Sequence, residues 1–195
     1  MKLDIILAGV GGQGILSIAT VLGYAAVQSG LSLKQAEVHG MSQRGGDVQS
    51  HLRISDKTIY SDLVPIGEAD IILSVEPMES LRYIPYLSTE GWLVTNTTPF
   101  KNIPNYPELD AIMAEVRKVP HHVAVDADDI AKELNNSRGM NMVMAGAASL
   151  FMDIDFEKLK EGIRYIFGRK GQEIVDMNIA TLEAGRSYAE KHRSM

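Results

Sequence analysis

Two glycine-rich stretches near the N-terminus carry the residue types best able to do chemistry. In the first, GVGGQG, Gly9, Gly11 and Gly14 fall in a G-x-G-x-x-G spacing. After a strand and at the start of a helix, that spacing suits a dinucleotide: the first glycine permits a tight turn, the second lets another group approach the backbone, and the third lets the helix sit close to the strand. The helix N-terminus adds unpaired N–H groups and partial positive charge for an anion. Gly12 gives the loop further freedom, and Gln13 places a polar side chain at its lip. Glu37 lies close to the roughly 20-residue interval at which a ribose-binding acid follows such a turn. Arg44 is then available to a 2′-phosphate. Three uses stay open: a dinucleotide turn, a turn for another anion or a partner, and a turn that only packs tightly.

The second stretch, HGMSQRGGDVQSHLR, is flexible at Gly40, Gly45 and Gly46, yet carries His39, Ser42, Gln43, Arg44 and Asp47 in quick succession. A loop after the second strand emerges at the same carboxyl edge of the sheet as the first glycine turn, so the two loops should be neighbours in one polar concavity. Arg44 could clamp a carboxylate or phosphate in bidentate fashion, while Ser42 and Gln43 both donate and accept hydrogen bonds. The plainer use is a solvated loop with a salt-bridged arginine. His39 and His51 have no third ligand placed to complete a metal set, so no metal site is expected, and structural or surface roles suit the histidines. There is no G-x-S-x-G nucleophile elbow.

These loops need a scaffold. Leu3–Ala8 is short and nearly all apolar, as a buried parallel strand should be. A helix follows from Gly14 to Gln28, with Gly30 at the position of a left-handed cap. Gln35–Val38 reads as a short second strand. Val48, Ser50, Leu52 and Ile54 alternate with polar residues as in a half-exposed strand, and SDKT followed by IYS predicts a hairpin there. Further strands are expected at Ile71–Val75, in WLVTNT and at His121–Val125. Pro77 opens a helix that Pro85 should end or bend, and PELDAIMAEVRKV is an amphipathic helix. The last third is helical throughout. The pattern is α/β: one domain over residues 1–195, with a doubly wound, mostly parallel sheet, a β-hairpin insertion and a helical C-terminal segment. Two stripes there seek cover: Val175, Ile179 and Leu182, and the Met140, Met142, Met144 and alanine series. Homo-oligomerisation is one way to provide it.

A formal net charge of -6 argues against a nucleic-acid-binding surface. The chain has no cysteine, so it can ligate no iron–sulfur cluster through thiolates. No apolar run approaches the roughly 20 residues of a membrane span, and a cytoplasmic protein that binds neither membrane nor nucleic acid is expected.

GVGGQGILSIATVLGYAA, EVHGMSQRGGDVQSHLRI, ILSVEPMESLR, VTNT, NMVMAGAASLF and VDMNIATLEAG together resemble the gamma-type subunits of 2-oxoacid:ferredoxin oxidoreductases, from Ile5 to about Gly185. Within that family the match is nearest to the branch acting on indolepyruvate and other arylpyruvates; branches using pyruvate, 2-oxoisovalerate or 2-oxoglutarate are similar. The resemblance implies a fold like domain III of pyruvate:ferredoxin oxidoreductase. It also implies a part in coenzyme A-dependent oxidative decarboxylation with ferredoxin as electron acceptor. Thiamine diphosphate, magnesium and iron–sulfur clusters would then sit on a larger partner subunit, with no cofactor on this chain. Gly9, Gly11, Gly12, Gln13 and Gly14, with Ser42, Gln43, Arg44 and Gly45, would form one wall of a composite site facing the partner's thiamine or the incoming coenzyme A. Two other readings stand beside this one: a free-standing NAD(P)-binding protein, and an assembly module whose glycine loops touch only protein.

Overall fold

The computed structural model describes residues 1–39 and 45–194. Strand β1 (Lys2–Val10) is buried at every residue after Lys2, because both of its faces are covered. After the first glycine turn come α1 (Ile15–Gln28) and a hairpin of β2 (Ser32–His39) and β3 (Asp47–Ser55). Next are β4 (Ala69–Ser74), α2 (Pro77–Arg82), a 3-10 turn at Ile84–Tyr86 and β5 (Leu87–Asn96). The chain continues through α3 (Leu109–Val116), β6 (His122–Val125), α4 (Ala127–Glu133), α5 (Met140–Ser149), α6 (Phe156–Phe167) and α7 (Gln172–His192).

The six strands lie in the order β2-β3-β1-β4-β5-β6. From β1 through β6 the pairs are parallel, and the β2–β3 hairpin joins antiparallel to β1. One face carries α1 and α4 to α7 over Ile5, Leu7, Ile71 and Leu73. The other carries the α2–α3 region over Ile6, Ala8, Ile72 and Leu93. The expected α/β architecture with a hairpin insertion is therefore present. The cap at Gly30 is also as expected: its φ is 73°, and Leu31 N–H reaches back to the Ala26 carbonyl at 3.0 Å.

The hairpin, however, is not at SDKT. It forms between the second and third strands, and β3 sits between β2 and β1, as a strand flanked on both sides. After β3 the chain turns without pairing. The Ser55 hydroxyl accepts from Lys57 N–H at 3.0 Å, and Arg53 Nη1 donates to the Ser61 and Leu63 carbonyls at 3.2 and 3.1 Å. The arginine thus takes carbonyls that a ladder would have needed. For the same reason β3 is more buried than its alternation suggests. The returning segment covers its outer face, where His51 is only 3% exposed and accepts from Val64 N–H through Nδ1 at 3.0 Å.

Of the two ways to cover the apolar stripes, packing on a second copy or within the chain, the fold uses the second: the stripes cover each other. Helices α5 and α7 cross so closely that a Cβ on Gly146 would stand 1.9 Å from the Leu182 carbonyl oxygen, and one on Gly185 would stand 1.9 Å from that of Val143. Met142, Met144, Val175 and Leu182 are all core residues.

Two measurements test this packing. Gly146→Ala and Gly185→Ala must separate two backbones, so each is expected to cost about 3 kcal/mol or more in urea unfolding. Gly168→Ala, with φ −55° and no atom within 4 Å of the added Cβ, is expected to be neutral or to gain up to about 1 kcal/mol. The second concerns pH. Burial, with the Arg53 charge adding to it, holds the His51 pKa below its usual 6.5. Its stabilising contribution is therefore full above 6.5 and is lost as pH falls toward the lowered folded value. The stability difference between wild type and His51→Asn, which keeps an acceptor for Val64 N–H, should narrow between pH 7.5 and pH 5. A pH-independent difference would contradict the assignment.

Candidate functional site

Four loops meet at the carboxyl edge of the sheet. The first is the turn after β1, whose last three residues, Ala8, Gly9 and Val10, pair with Gln49, Val48 and Asp47 of β3. This register delivers the β2–β3 loop directly beside the glycine turn. Gly11 N–H donates to the Gly46 carbonyl at 2.8 Å, and Gly45 N–H donates to the Gly11 carbonyl at 3.3 Å. The expected adjacency of the two glycine loops is therefore direct backbone pairing. What approaches the Gly11 backbone is the second loop. Ser42, Gln43 and Arg44 lie outside the described residues; Gly45 has φ 77°.

The other residues of the turn have separate tasks. Gly9 gives room to Val75, whose Cγ2 would be 2.4 Å from an added Cβ. Gly12 (φ 104°) has open space around it. Gln13 is a brace and not a free lip residue: its Oε1 accepts from Val10 N–H at 2.8 Å, and its Nε2 donates to the Val75 carbonyl at 3.4 Å. Gly14 differs from the expectation that it eases helix–strand packing. It caps α1 at φ 83° and lies against Asn141 of α5, whose Nδ2 donates to its carbonyl at 3.3 Å.

Beside this turn is a cleft of about 410 Å³, with Val10, Gly11, Gly14, Leu16, Glu37 and Val48 in its lining. Glu37 is exposed on the edge strand β2, separated from β1 by β3. The cleft thus combines apolar walls, backbone of the glycine turn and one carboxylate.

The third and fourth loops carry residues that sequence reasoning missed. After β4, the Ser74 hydroxyl donates to the Glu76 carbonyl at 2.6 Å. The Glu76 carboxylate, 0% exposed, accepts from Glu79 N–H at 2.8 Å and so caps α2. At the last residue of β5, Asn96 Nδ2 donates to the Val75 carbonyl at 3.2 Å and to Asp128 at 2.9 Å, tying the ends of β4 and β5 to α4. In segment 97–108, Asn102 Nδ2 donates to the Gly45 carbonyl at 2.7 Å. Its neighbours Phe100 and Ile103, together with Leu16 on α1, leave large apolar side chains exposed near the loops. One signal was available: TNTTPFKNIPNY is a turn-rich run following a strand, and in such a sheet that places it at the ligand edge.

A variant tests the turn. Gly14→Ala should lose about 2–4 kcal/mol, from a left-handed backbone bearing a Cβ and from the Asn141 clash at 2.5 Å. Adding Asn141→Ala should recover part of that loss, and no recovery would show that the crowding at Asn141 is unimportant.

Comparison with known proteins shows the family and the fold. The family model "Pyruvate ferredoxin/flavodoxin oxidoreductase" matches residues 4–188. The chain is 38% identical to the indolepyruvate oxidoreductase subunit IorB of Archaeoglobus fulgidus, over 97% of this chain and 96% of that one. Its fold matches pyruvate oxidoreductase subunit PORC of Thermotoga maritima with a TM-score of 0.75 at 23% identity, covering 96% of each chain. It also matches the 2-oxoglutarate:ferredoxin oxidoreductase of Magnetococcus marinus, solved with 2-oxoglutarate, coenzyme A and succinyl-CoA bound, with a TM-score of 0.77 at 22% identity. That match covers 100% of this chain and 32% of the other, so the chain spans about a third of that protein's length. This chain belongs to the pyruvate ferredoxin/flavodoxin oxidoreductase family.

Proposed function

We propose that the chain is the smaller subunit of an indolepyruvate (arylpyruvate):ferredoxin oxidoreductase, inactive alone. It would supply one wall of an active site completed by a larger, thiamine- and cluster-bearing partner. The reaction is the oxidative decarboxylation of a 2-oxoacid with coenzyme A, giving an acyl-CoA and carbon dioxide while ferredoxin is reduced. The observation that carries this reading is the bond from Gly11 N–H to Gly46. In a dinucleotide fold the second glycine leaves its backbone open to the pyrophosphate. Here that approach is occupied by the chain's own hairpin, and the paired loops present a common edge outward.

The donor set supports the division of labour. With no cysteine, the chain has no thiolates for a cluster. Among the described residues no three His, Asp or Glu side chains are grouped to hold a metal. The clusters are therefore assigned to the partner, the thiamine diphosphate and its magnesium are assigned there on the family resemblance, and ferredoxin would meet the complex there. What this chain does is positional. Gly9, Gly11, Gly12, Gly14 and Gly45 form a close-fitting backbone wall, with Gln13 bracing its turn. Exposed Leu16, Phe100 and Ile103 provide apolar contact that excludes water when the partner is seated. Ser42, Gln43 and Arg44, outside the described residues, are assigned to the same site on the sequence resemblance; Arg44 would hold an anionic group of coenzyme A or thiamine diphosphate through its planar fork. No residue of this chain is given a proton-transfer role. The net charge of -6 fits a protein without nucleic-acid partners. Among the described residues no helix is long and apolar enough to cross a membrane, and the cytoplasm is the proposed compartment.

A nicotinamide-nucleotide protein is the second reading, favoured by one observation: Glu37 lines the cleft beside the glycine turn. Calorimetry of the isolated chain separates the two. The composite-site reading expects no micromolar binding of NAD(H) or NADP(H). In the co-expressed complex, Arg44→Ala should raise the KM for coenzyme A about tenfold, the worth of one charge-assisted contact, with assembly intact. Tight nicotinamide binding, or unchanged turnover at limiting coenzyme A, would contradict the proposal.

A further inference from the structure

Segment 97–108 has no regular secondary structure, yet one buried carboxylate holds it at two points. Glu76 Oε1 accepts from Phe100 N–H at 3.2 Å and from the Tyr106 hydroxyl, while Oε2 caps α2. Between those two anchors stands Asn102, itself braced by its N–H to the Phe100 carbonyl at 2.8 Å. Asn102 Nδ2 then reaches the Gly45 carbonyl at 2.7 Å, and Gly45 N–H reaches Gly11. A continuous path of hydrogen bonds thus runs from a fully buried carboxylate, through an irregular segment, into the paired glycine loops.

We infer that Glu76 and Tyr106 are positioning residues for the glycine-loop wall: they fix Asn102, and Asn102 sets how the hairpin loop sits against the Gly9–Gly14 turn. The chemistry suits the task. A carboxylate removed from water requires donors on both oxygens, so it holds its partners more tightly than a neutral acceptor does. Burial, then the bond to Glu76, pushes the Tyr106 phenol up, which keeps it protonated and donating throughout the working pH range. The side-chain amide is also specific at position 102, because only a donor satisfies the Gly45 carbonyl; an isosteric carboxylate would face it with a second acceptor. The consequence for coenzyme A rests on the function proposed above, whereas the coupling of the loops does not.

The experiment therefore has two readouts. Replacing Glu76 would also remove the cap of α2, so the variants are Tyr106→Phe, Asn102→Asp and their combination. In the full chain, hydrogen exchange in peptides covering the 9–14 turn and Gly45–Gly46 should quicken about tenfold in each single variant, the factor one hydrogen bond supplies. The combination should be little worse than the worse single variant, because Tyr106 is inferred to act on the loops only through Asn102. In the complex with the partner subunit, the same variants should raise the KM for coenzyme A about tenfold and leave kcat within about twofold. Unchanged exchange in those peptides, or full additivity in the double variant, overturns the inference. Faster, non-additive exchange upholds it; if the KM then stays unchanged, the coenzyme A role of the loops is what fails.

Discussion

One backbone hydrogen bond, from Gly11 N–H to the Gly46 carbonyl at 2.8 Å, fixes what the carboxyl edge of the sheet can be. It exists because β3 inserts antiparallel between β1 and β2, with Val10 opposite Asp47. In a doubly wound sheet without that insertion, the second glycine would face an open crevice suited to a pyrophosphate. Here Gly45 and Gly46 of the protein's own hairpin take up the backbone groups of Gly11. A turn with nucleotide-binding spacing thereby becomes part of a continuous surface formed by two loops.

That surface is only as well placed as the elements behind it. Asn141 at the start of α5 holds the Gly14 carbonyl, and α5 is itself seated by its close crossing with α7 at Gly146 and Gly185. On the other flank, Asn96 and Gln13 both donate to the Val75 carbonyl, so the ends of β1, β4 and β5 share one acceptor. Such closely coupled backbone contacts deform little, and that rigidity is what a wall in a composite site requires. The C-terminal helices thus support the glycine turn as well as covering the sheet.

Much of this was legible in the sequence, for identifiable reasons. A glycine spacing placed after an apolar strand specifies the turn and helix start, and Gly30 specifies the cap, because φ near +73° excludes most residues. The period-2 pattern around Leu52 identified a strand but carries no information on its direction or neighbours, so the antiparallel insertion and the burial of His51 were hidden. SDKT has turn chemistry, yet Arg53 claimed the carbonyls beyond it. The apolar stripes of α5 and α7 were visible, but whether they meet within one chain depends on a helix crossing that only two distant glycines permit. Asn102 belongs to no motif, and Glu76 and Asn141 stand inside quoted segments whose pattern gives no sign of what they bond. Their importance comes from contacts between residues far apart in the chain, such as the Asn102–Gly45 bond.

The most direct measurement is a structure of the complex of this chain with the proposed thiamine-bearing partner, determined with coenzyme A present. The account predicts that the Gly9–Gly14 turn and the Gly45 loop are buried against the partner, in contact with bound coenzyme A or thiamine diphosphate, with the Gly11–Gly46 bond kept. A complex in which this edge faces solvent, or in which the hairpin has moved away to admit a nicotinamide nucleotide over Gly11, would contradict it.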